Sequence, residues 1–571
     1  MTNQQIAKIL EEIASILEIQ GDMVFKIRAY QRAAETVSNL PQEVSKLNEK
    51  ELTELPGIGP GIAKKIYSLT TTGKSDYYDE LRKSEYAPLV DLLQIPSIGP
   101  KHARQLYDKL GVKSVSDLEK AAKAGKIKNL PGMGAKSEEN MLKGISALFR
   151  HKERIPLGQI LPKAEQLVAQ LKKVKEVKEI ALAGSLRRMK ETIADGDILV
   201  SSTRPQPVMN AFTNLPEVAR VLSHGSTKSS IITKDNFQVD LRVVKPESWG
   251  AALHYFTGSK SHNVKVRTLA VKKKLSVNEY GLWKGRKSIA SRTEEDMYKK
   301  LGMQWVPPEI REDWGEVELA FKNKIPRLIE AGDIKGDLQM HTDWSDGNST
   351  IQEMAQAAQK LGYQYIAITD HSSLVGITQG LDVKRVKKQI EEIERINRKL
   401  KVFRILSGIE VDIKADGTLD LPDEALEQLD LVVATVHTRF NLPSDQMTKR
   451  IIRALENPHV DILGHPTGRL IGRRDPYQVD LDRVLKAALT NKKVLELNCS
   501  PDRLDLPDIW VRKAKDMEIK ISIATDSHRT GHLQDWMRYG IGCGRRGWLE
   551  KKDVVNCLPL DKFLKFFKIK P

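Results

Sequence analysis

Cysteine is nearly missing from this chain: three residues in 571, Cys499, Cys543 and Cys557, in no C-x-x-C spacing. That scarcity argues against a disulfide framework and against a cysteine-held zinc knuckle. No apolar run approaches the ~18 residues of a membrane span. The N-terminal MTNQQIAKILEEIASIL carries acids inside its apolar pattern and lacks the basic start of a signal peptide. A cytoplasmic protein is therefore expected. Acid is also in short supply, since 75 Asp and Glu face 92 Lys and Arg, leaving a net charge of +17. Such an excess favours a polyanionic partner, because Lys and Arg neutralise phosphates and release their counterions. Solubility alone is the rival explanation. The length predicts roughly three to five domains.

Residues 1–150 are helical in pattern, with apolar residues three and four apart in IAKILEEIASILEI and LVDLLQI. A phrase recurs there: LPGIGPGIAKKI at 55–66, IPSIGPKHARQL at 95–106 and LPGMGAKSEENM at 130–141. Gly59, Gly99 and Gly134, with Gly57 and Gly132 two residues earlier in the first and third copies, suit a tight turn that lets backbone approach a ligand. The helix that follows offers unpaired N–H groups to an anion. One such phrase is commonly a turn between packed helices; three in order predict helix-hairpin-helix modules that grip a nucleic-acid backbone without reading its sequence.

From about 155 to 310 the pattern becomes mixed α/β. EIALAGSLRR, DGDILVSS and FQVDLRVV read as strands, the first ending in a turn with Gly184 and Ser185. Asp195 and Asp197, two apart, face the same way on extended chain, and Asp240 can join them from a neighbouring strand. Clustered carboxylates repel unless cations lie between them, and two metal ions about 3.5–4 Å apart suit phosphoryl transfer. Taken alone, D-x-D is as easily a polar strand end.

GSLRR, DGDILV, VDLRVV, YFTGSKSHNVKVR and NEYGLW together resemble the nucleotidyltransferase core of family X DNA polymerases, relatives of DNA polymerase beta. FKIRAYQRAAETV and LPGIGPGIAKKI resemble that family's lyase-type and helix-hairpin-helix regions, so the likeness spans residues 1–315. It implies that Asp195, Asp197 and Asp240 hold two Mg²⁺ or Mn²⁺ ions, and that Gly184, Ser185 and Arg188 hold the incoming triphosphate. Tyr255, Phe256 and Gly258 would pack on the deoxyribose, where core packing is the plainer role for the two aromatics. Asn263 and Arg267 would lie near the nascent pair and template. Lys26, Tyr30 and the turn glycines would contact DNA. Lys65 matches a lysine that forms a Schiff base with a 5'-deoxyribose phosphate, with an ordinary phosphate contact as its alternative. Two positions depart from the family: Gln238 replaces an arginine before the third aspartate, and Gly61 replaces a supporting lysine.

WVPPEI and KIPRLIEAGDI mark a boundary, after which short apolar runs recur, most ending in a metal-ligand type: DLQMHTDWSD, YIAITDH, FRILSGIE, LVVATVHT, VDILGHP, VLELN and IKISIATDSH. Strand followed by helix about seven times predicts an α/β barrel with its polar residues gathered at the C-terminal strand ends. The series resembles the polymerase and histidinol phosphatase (PHP) domain, a distorted (β/α)7 barrel holding two to three divalent ions (Mn²⁺, Zn²⁺ or Fe²⁺). His341, Asp346, His371, Glu410, His437, His465, Asp526 and His528 match its ligands, while Gln339 stands where the family has a ninth, a histidine. An amide oxygen suits a hard ion better than a transition metal, so one metal is expected to be weakened. Arg469, Arg473 and Arg474 follow His465 and would supply phosphate-binding charge or a solvated basic loop.

The expected organisation is a lyase-like helical domain (1–85), fingers (86–150), a nucleotidyltransferase palm (151–245), a thumb (246–315), a linker (316–332) and a PHP phosphoesterase (333–571). The expected function is a family X polymerase filling short gaps in base excision repair, acting as a monomer on gapped or nicked DNA and dNTPs, with the barrel processing 3' ends as exonuclease, phosphatase or abasic-site endonuclease. The competing readings are a polymerase whose barrel is only a structural platform impaired at Gln339, and a DNA-binding scaffold with neither activity.

Overall fold

The computed structural model describes all residues except 2, 41–43, 96–97, 135, 143–153, 375–378 and 571. The expected boundary at 150/151 and two positions of the second repeated phrase lie outside the described residues. Contacts divide the chain into two units, Met1–Glu153 and Arg154–Pro571. Among the described residues no helix is long and apolar enough to cross a membrane.

The first unit is helical. Along the helix Asn3–Gln20, Ile6, Leu10, Ile13 and Leu17 form one apolar face, buried against Ile27, Ala34 and Val37 of Val24–Asn39 and Ile62 and Ile66 of Pro60–Thr72. A second core gathers Leu89, Leu92, Ala103, Leu106 and Leu118. The first two repeated phrases form the expected turn and helix: Gly59 and Gly99 are N-caps without a side-chain cap, and Pro60 and Pro100 open the helices. Proline costs nothing there, because the N–H it lacks would have had no intrahelical partner.

The second unit begins with a small α/β domain whose strands are β1 (Ile155–Pro156), β2 (Glu179–Leu182), β3 (Thr192–Ile193), β4 (Gly196–Ser201), β5 (Val218–His224), β6 (Lys228–Thr233) and β7 (Gln238–Val244). β1 pairs with β3, and the other five form one sheet in the order β2-β4-β7-β6-β5. β4 and β7 run parallel with Asp197 opposite Asp240. The thumb adds helices Trp249–Thr257 and Lys260–Lys272 and a three-stranded sheet, β8 (Ser276–Asn278), β9 (Gly281–Lys284) and β10 (Lys287–Ala290). Within the expected linker, Glu316–Phe321 is helical, and Val317, Ala320 and Leu328 share a core with thumb residues and Trp548.

All seven apolar runs after residue 333 become strands of one parallel sheet in sequence order: β11 (Gly336–Asp337), β12 (Tyr365–Ile368), β13 (Arg404–Asp412), β14 (Leu431–Thr435), β15 (Ile462–Leu463), β16 (Val494–Asn498) and β17 (Ile521–Ala524). Their nearly unbroken burial is that of strands covered on both faces. A parallel bridge from Met340 to Ser527 draws the ends of the sheet together. Asn556 stitches the same seam, donating to the carbonyls of Gly336 (2.9 Å) and Ile523 (2.7 Å) and accepting from the Ile523 N–H (3.0 Å). This is the α/β barrel that the periodicity predicts, in the seven-stranded form that the resemblance implies.

Candidate active sites

In the palm, Asp195 lies just before β4, Asp197 on it, and Asp240 on the adjacent β7. The turn 184–187 follows β2 and folds back over the acids. Gly184 has a φ of +55°, and a Cβ there would stand 2.1 Å from the Asp197 carboxylate. A cleft of about 530 Å³ brings Asp195 and Asp197 together with Gly184, Ser185, Arg188, Tyr255, Phe256, Gly258, Asn263 and Arg267, and adds the cations of Arg154, Lys190 and Lys260. Every residue that the resemblance places around a nucleotide, apart from Asp240 behind Asp197, lines this one space. Asn263 is fixed by donating to the Tyr255 carbonyl at 2.7 Å, and Arg242 lies over the Phe256 ring at 4.5 Å.

Burial, and then the charges of Asp195 and Asp240, push the Asp197 carboxyl up to about 7. Burial also acts to raise Asp240, but hydrogen bonds from Lys228, Gln238 and Ser230 outweigh it and hold this carboxyl below its usual range. Gln238 donates to Asp240 at 3.0 Å; the cation expected from an arginine at that position comes instead from Lys228 on β6, at 2.7 Å. Asp195, Asp197 and Asp240, close enough to act on one another's ionisation and with Lys228 on Asp240, form an oxygen donor set that fits divalent ions. Asp197 must be ionised to ligate. Below pH 7 a proton therefore competes with the metal, and the apparent Mg²⁺ affinity is expected to fall by up to about tenfold per pH unit. Calorimetry in buffers of different ionisation enthalpy checks this: proton uptake by the buffer near neutrality is expected, and its absence would sink the assignment.

In the barrel, eight predicted ligands converge. Glu410 touches four imidazoles: His341 Nε2 at 3.2 Å, His371 Nδ1 at 3.5 Å, His437 Nε2 at 3.3 Å and His465 Nε2 at 3.0 Å. Asp526 lies 3.1 Å from His341, while Asp346 lies 3.6 Å from His371 and 3.5 Å from His528. Three overlapping groups have ion-binding spacing: His341, Asp346, His371 and His528; His371, Glu410 and His437; His341, Glu410 and Asp526. Buried ring nitrogens of His341, His371 and His465 and both amide atoms of Gln339 lack hydrogen-bond partners. A mixed imidazole and carboxylate set with unsatisfied nitrogens suits Zn²⁺, Mn²⁺ or Fe²⁺.

The surrounding residues hold these ligands in place. Asp370 accepts from the Thr342 N–H (2.7 Å), Thr342 Oγ1 (2.6 Å), Ser345 Oγ (2.5 Å) and Gln389 (2.7 Å), pinning the loop that carries His341 and Asp346. Asp412, two residues beyond Glu410, takes His437 Nδ1 at 3.1 Å, leaving Nε2 for the site. Asp343 is exposed and stands apart from the three groups.

The arginines after His465 divide, with only Arg473 in the solvated position that one alternative foresaw. Arg469 is 8% exposed and pairs with Glu191 of the palm at 2.7 Å, Arg473 is exposed beside Asp502, and Arg474 lies over the Phe440 ring at 4.1 Å. The cation beside the ligands is Arg503, whose Nε is 3.6 Å from Asp526 and whose buried Nη1 has no hydrogen-bond partner, which leaves a donor for a phosphate oxygen. Nothing in its local sequence, SPDRLDLP, marks it.

In the first unit, Lys65 and Lys26 approach the Tyr77 ring at 4.6 and 5.6 Å, and Tyr30, 4% exposed, stacks on Tyr77 with the planes 3° apart. Lys65 donates to the Gly61 carbonyl at 3.0 Å; burial first, then the charges of Lys26 and Lys64, lower the pKa of its amine. Gly57 has a φ of +80° at the turn before Pro60–Thr72, and Gly132 has the same geometry in the third phrase.

The chain matches family models for a helix-hairpin-helix domain (residues 1–75), a SAM-like helix-hairpin-helix tandem (89–146), the DNA polymerase beta thumb (252–312) and the PHP domain (337–500). Over 574 aligned residues it is 39% identical to the "DNA polymerase/3'-5' exonuclease PolX" of Bacillus subtilis (strain 168), covering all of both chains. A "Probable phosphatase" of Thermoanaerobacter sp. (strain X514) is 37% identical over 191 residues, 32% of this chain and 73% of that protein. Full-length likeness, the thumb, the paired helix-hairpin-helix regions and the barrel agree: the chain belongs to the PolX family, the family X DNA polymerases that carry a C-terminal PHP domain.

Proposed function

We propose that the protein binds gapped or nicked DNA as a single chain, adds nucleotides from dNTPs at the palm during short-gap repair of the base excision type, and processes 3' ends at the barrel. The observation that carries the polymerase reading is the register that sets Asp197, which lines a cleft rich in cations, opposite Asp240 on the neighbouring strand. Asp195, Asp197 and Asp240 would hold two Mg²⁺ or Mn²⁺ ions; Ser185 and Arg188 would hold the triphosphate, Tyr255 and Phe256 the sugar, and Asn263 and Arg267 the nascent pair and template. In the barrel the eight ligands would hold two or three Mn²⁺, Zn²⁺ or Fe²⁺ ions, and Gln339, buried with both amide atoms unpartnered, would complete one of them through its oxygen. Bound ions supply an activated water and offset phosphate charge. The name of the Bacillus relative supports a 3'-5' exonuclease as the barrel's main reaction, with abasic-site cleavage a second use of the same phosphodiester chemistry.

The test is Mn²⁺-dependent digestion of a mismatched 3' end on gapped DNA without nucleotides. Wild type is expected to degrade it, Asp526→Ala with His528→Ala to leave it intact, and Gln339→His to match wild type at saturating Mn²⁺ and exceed it when metal is scarce. An inert wild type with an active Gln339→His variant would mean that one residue has switched the barrel off, leaving the protein a polymerase alone.

The lowered pKa of Lys65 supports 5'-deoxyribose phosphate lyase activity, since an amine must be neutral to attack the sugar aldehyde. Borohydride is expected to trap the wild-type chain, and not Lys65→Ala, on a 5'-deoxyribose phosphate end; trapping that survives the substitution would remove Lys65 from the role.

A further inference from the structure

The turn assigned to the triphosphate is built against the barrel. Glu312, at the end of the thumb, receives three cations: Arg188 Nε at 3.1 Å, Lys190 Nζ at 3.7 Å and Arg546 Nη1 at 2.9 Å. Arg546 ends the barrel helix Thr530–Arg546 and is 2% exposed. It also donates to the Arg188 carbonyl at 3.1 Å and pairs with Asp508 at 2.6 Å. The next residue of the turn, Met189, packs so closely on Gly542 of the same helix that a Cβ there would lie 2.7 Å from the methionine methyl. Beyond it, Glu191 takes Arg469 at 2.7 Å, from the loop that leaves His465.

We propose that helix Thr530–Arg546 is a working part of the nucleotide site, with Arg546 a positioning residue that holds Arg188 toward the incoming triphosphate. The inference rests on the assignment of residues 184–188 to the triphosphate. With Arg546 in place, Glu312 is neutralised from the barrel side and the Arg188 backbone is tethered, while Arg188 lines the cleft and its Nη1 donates to the Thr257 carbonyl at 2.5 Å. Without Arg546, a buried carboxylate loses a partner and competes with the triphosphate for Arg188. A displacement of about 1 Å in such a group costs up to about 100-fold in rate or affinity. The polymerase site thus depends on the barrel whether or not the barrel's own ligands hold metal.

The test uses the full chain in single-turnover incorporation on gapped DNA over a range of dNTP concentrations, with 3'-end digestion by the barrel measured in parallel. Arg546→Met is expected to raise the apparent dNTP dissociation constant about tenfold while the maximal rate changes less than about threefold, and Arg546→Lys to recover most of the loss. Glu191→Gln, at a 41% exposed side chain on the other strut, is expected to raise it about threefold. Digestion stays within about twofold of wild type in all three. If Arg546→Met loses both activities through misfolding, Asp508→Asn, which weakens the hold on Arg546 at 2.6 Å and is expected to raise the constant about threefold, decides in its place. A dNTP affinity within twofold of wild type in the folded variants overturns the proposal. Arg188→Ala separates the two readings: if it too leaves affinity unchanged, the triphosphate assignment fails and the brace fails with it, whereas weakening in Arg188→Ala alone overturns only the brace.

Discussion

Glu410→Gln is expected to extinguish hydrolysis at the barrel and to lower its bound metal, on the geometry of a single carboxylate shared by four histidines. Glu410 is 1% exposed, and its two oxygens each face two imidazoles at 3.0–3.5 Å. Burial acts to raise its pKa, but His371 first, with His341, His437 and His465, outweighs burial and holds this carboxyl well below its usual range. Glutamine keeps the shape and removes the charge. Loss of an outer partner of a ligand costs roughly 10- to 100-fold in metal affinity or activity; removal of a carboxylate common to two of the three ion-binding groups is expected to exceed that and to lower the bound metal per chain. The measurements are metal content after dialysis and digestion of a mismatched 3' end, with nucleotide incorporation as the control expected to persist. Full metal content in the glutamine variant would show that Glu410 is a hydrogen-bond acceptor and not a ligand.

Gly184→Ala is expected to cut nucleotide incorporation by at least about 100-fold while the barrel continues to digest 3' ends. The added methyl would sit 2.1 Å from an Asp197 oxygen, and its residue would have to hold a φ of +55°. The left-handed conformation alone costs about 1–2 kcal/mol, which the protein can bear. The clash cannot be relieved without moving either the 184–187 turn or the aspartate. Asp195→Ala with Asp197→Ala should abolish incorporation and marks the floor. Near-normal incorporation by Gly184→Ala would mean that the turn and Asp197 separate during catalysis.

The two halves of this chain were legible in its sequence where short windows carry the physics. Alternating and continuous apolar runs placed all seven barrel strands, because burial on both faces demands such runs, and the ligand types stood at their ends. The repeated glycine phrases located two turn-and-helix entries, and a strand's period of two set Asp195 and Asp197 on one side of the chain, while their union with Asp240 came from the family resemblance. Gln339 was visible as a departure from the ligand set of the family that the barrel resembles. Tertiary structure alone decided the partners. Lys228 neutralises Asp240 from a strand paired in register, Arg503 rather than the arginines that follow His465 stands beside Asp526, and Arg469 turns away to Glu191. Arg188 meets Arg546 across 358 positions of chain. Charge acts through space over a few ångströms and leaves no periodic trace along the backbone, so which cation serves which anion is settled only when the domains pack.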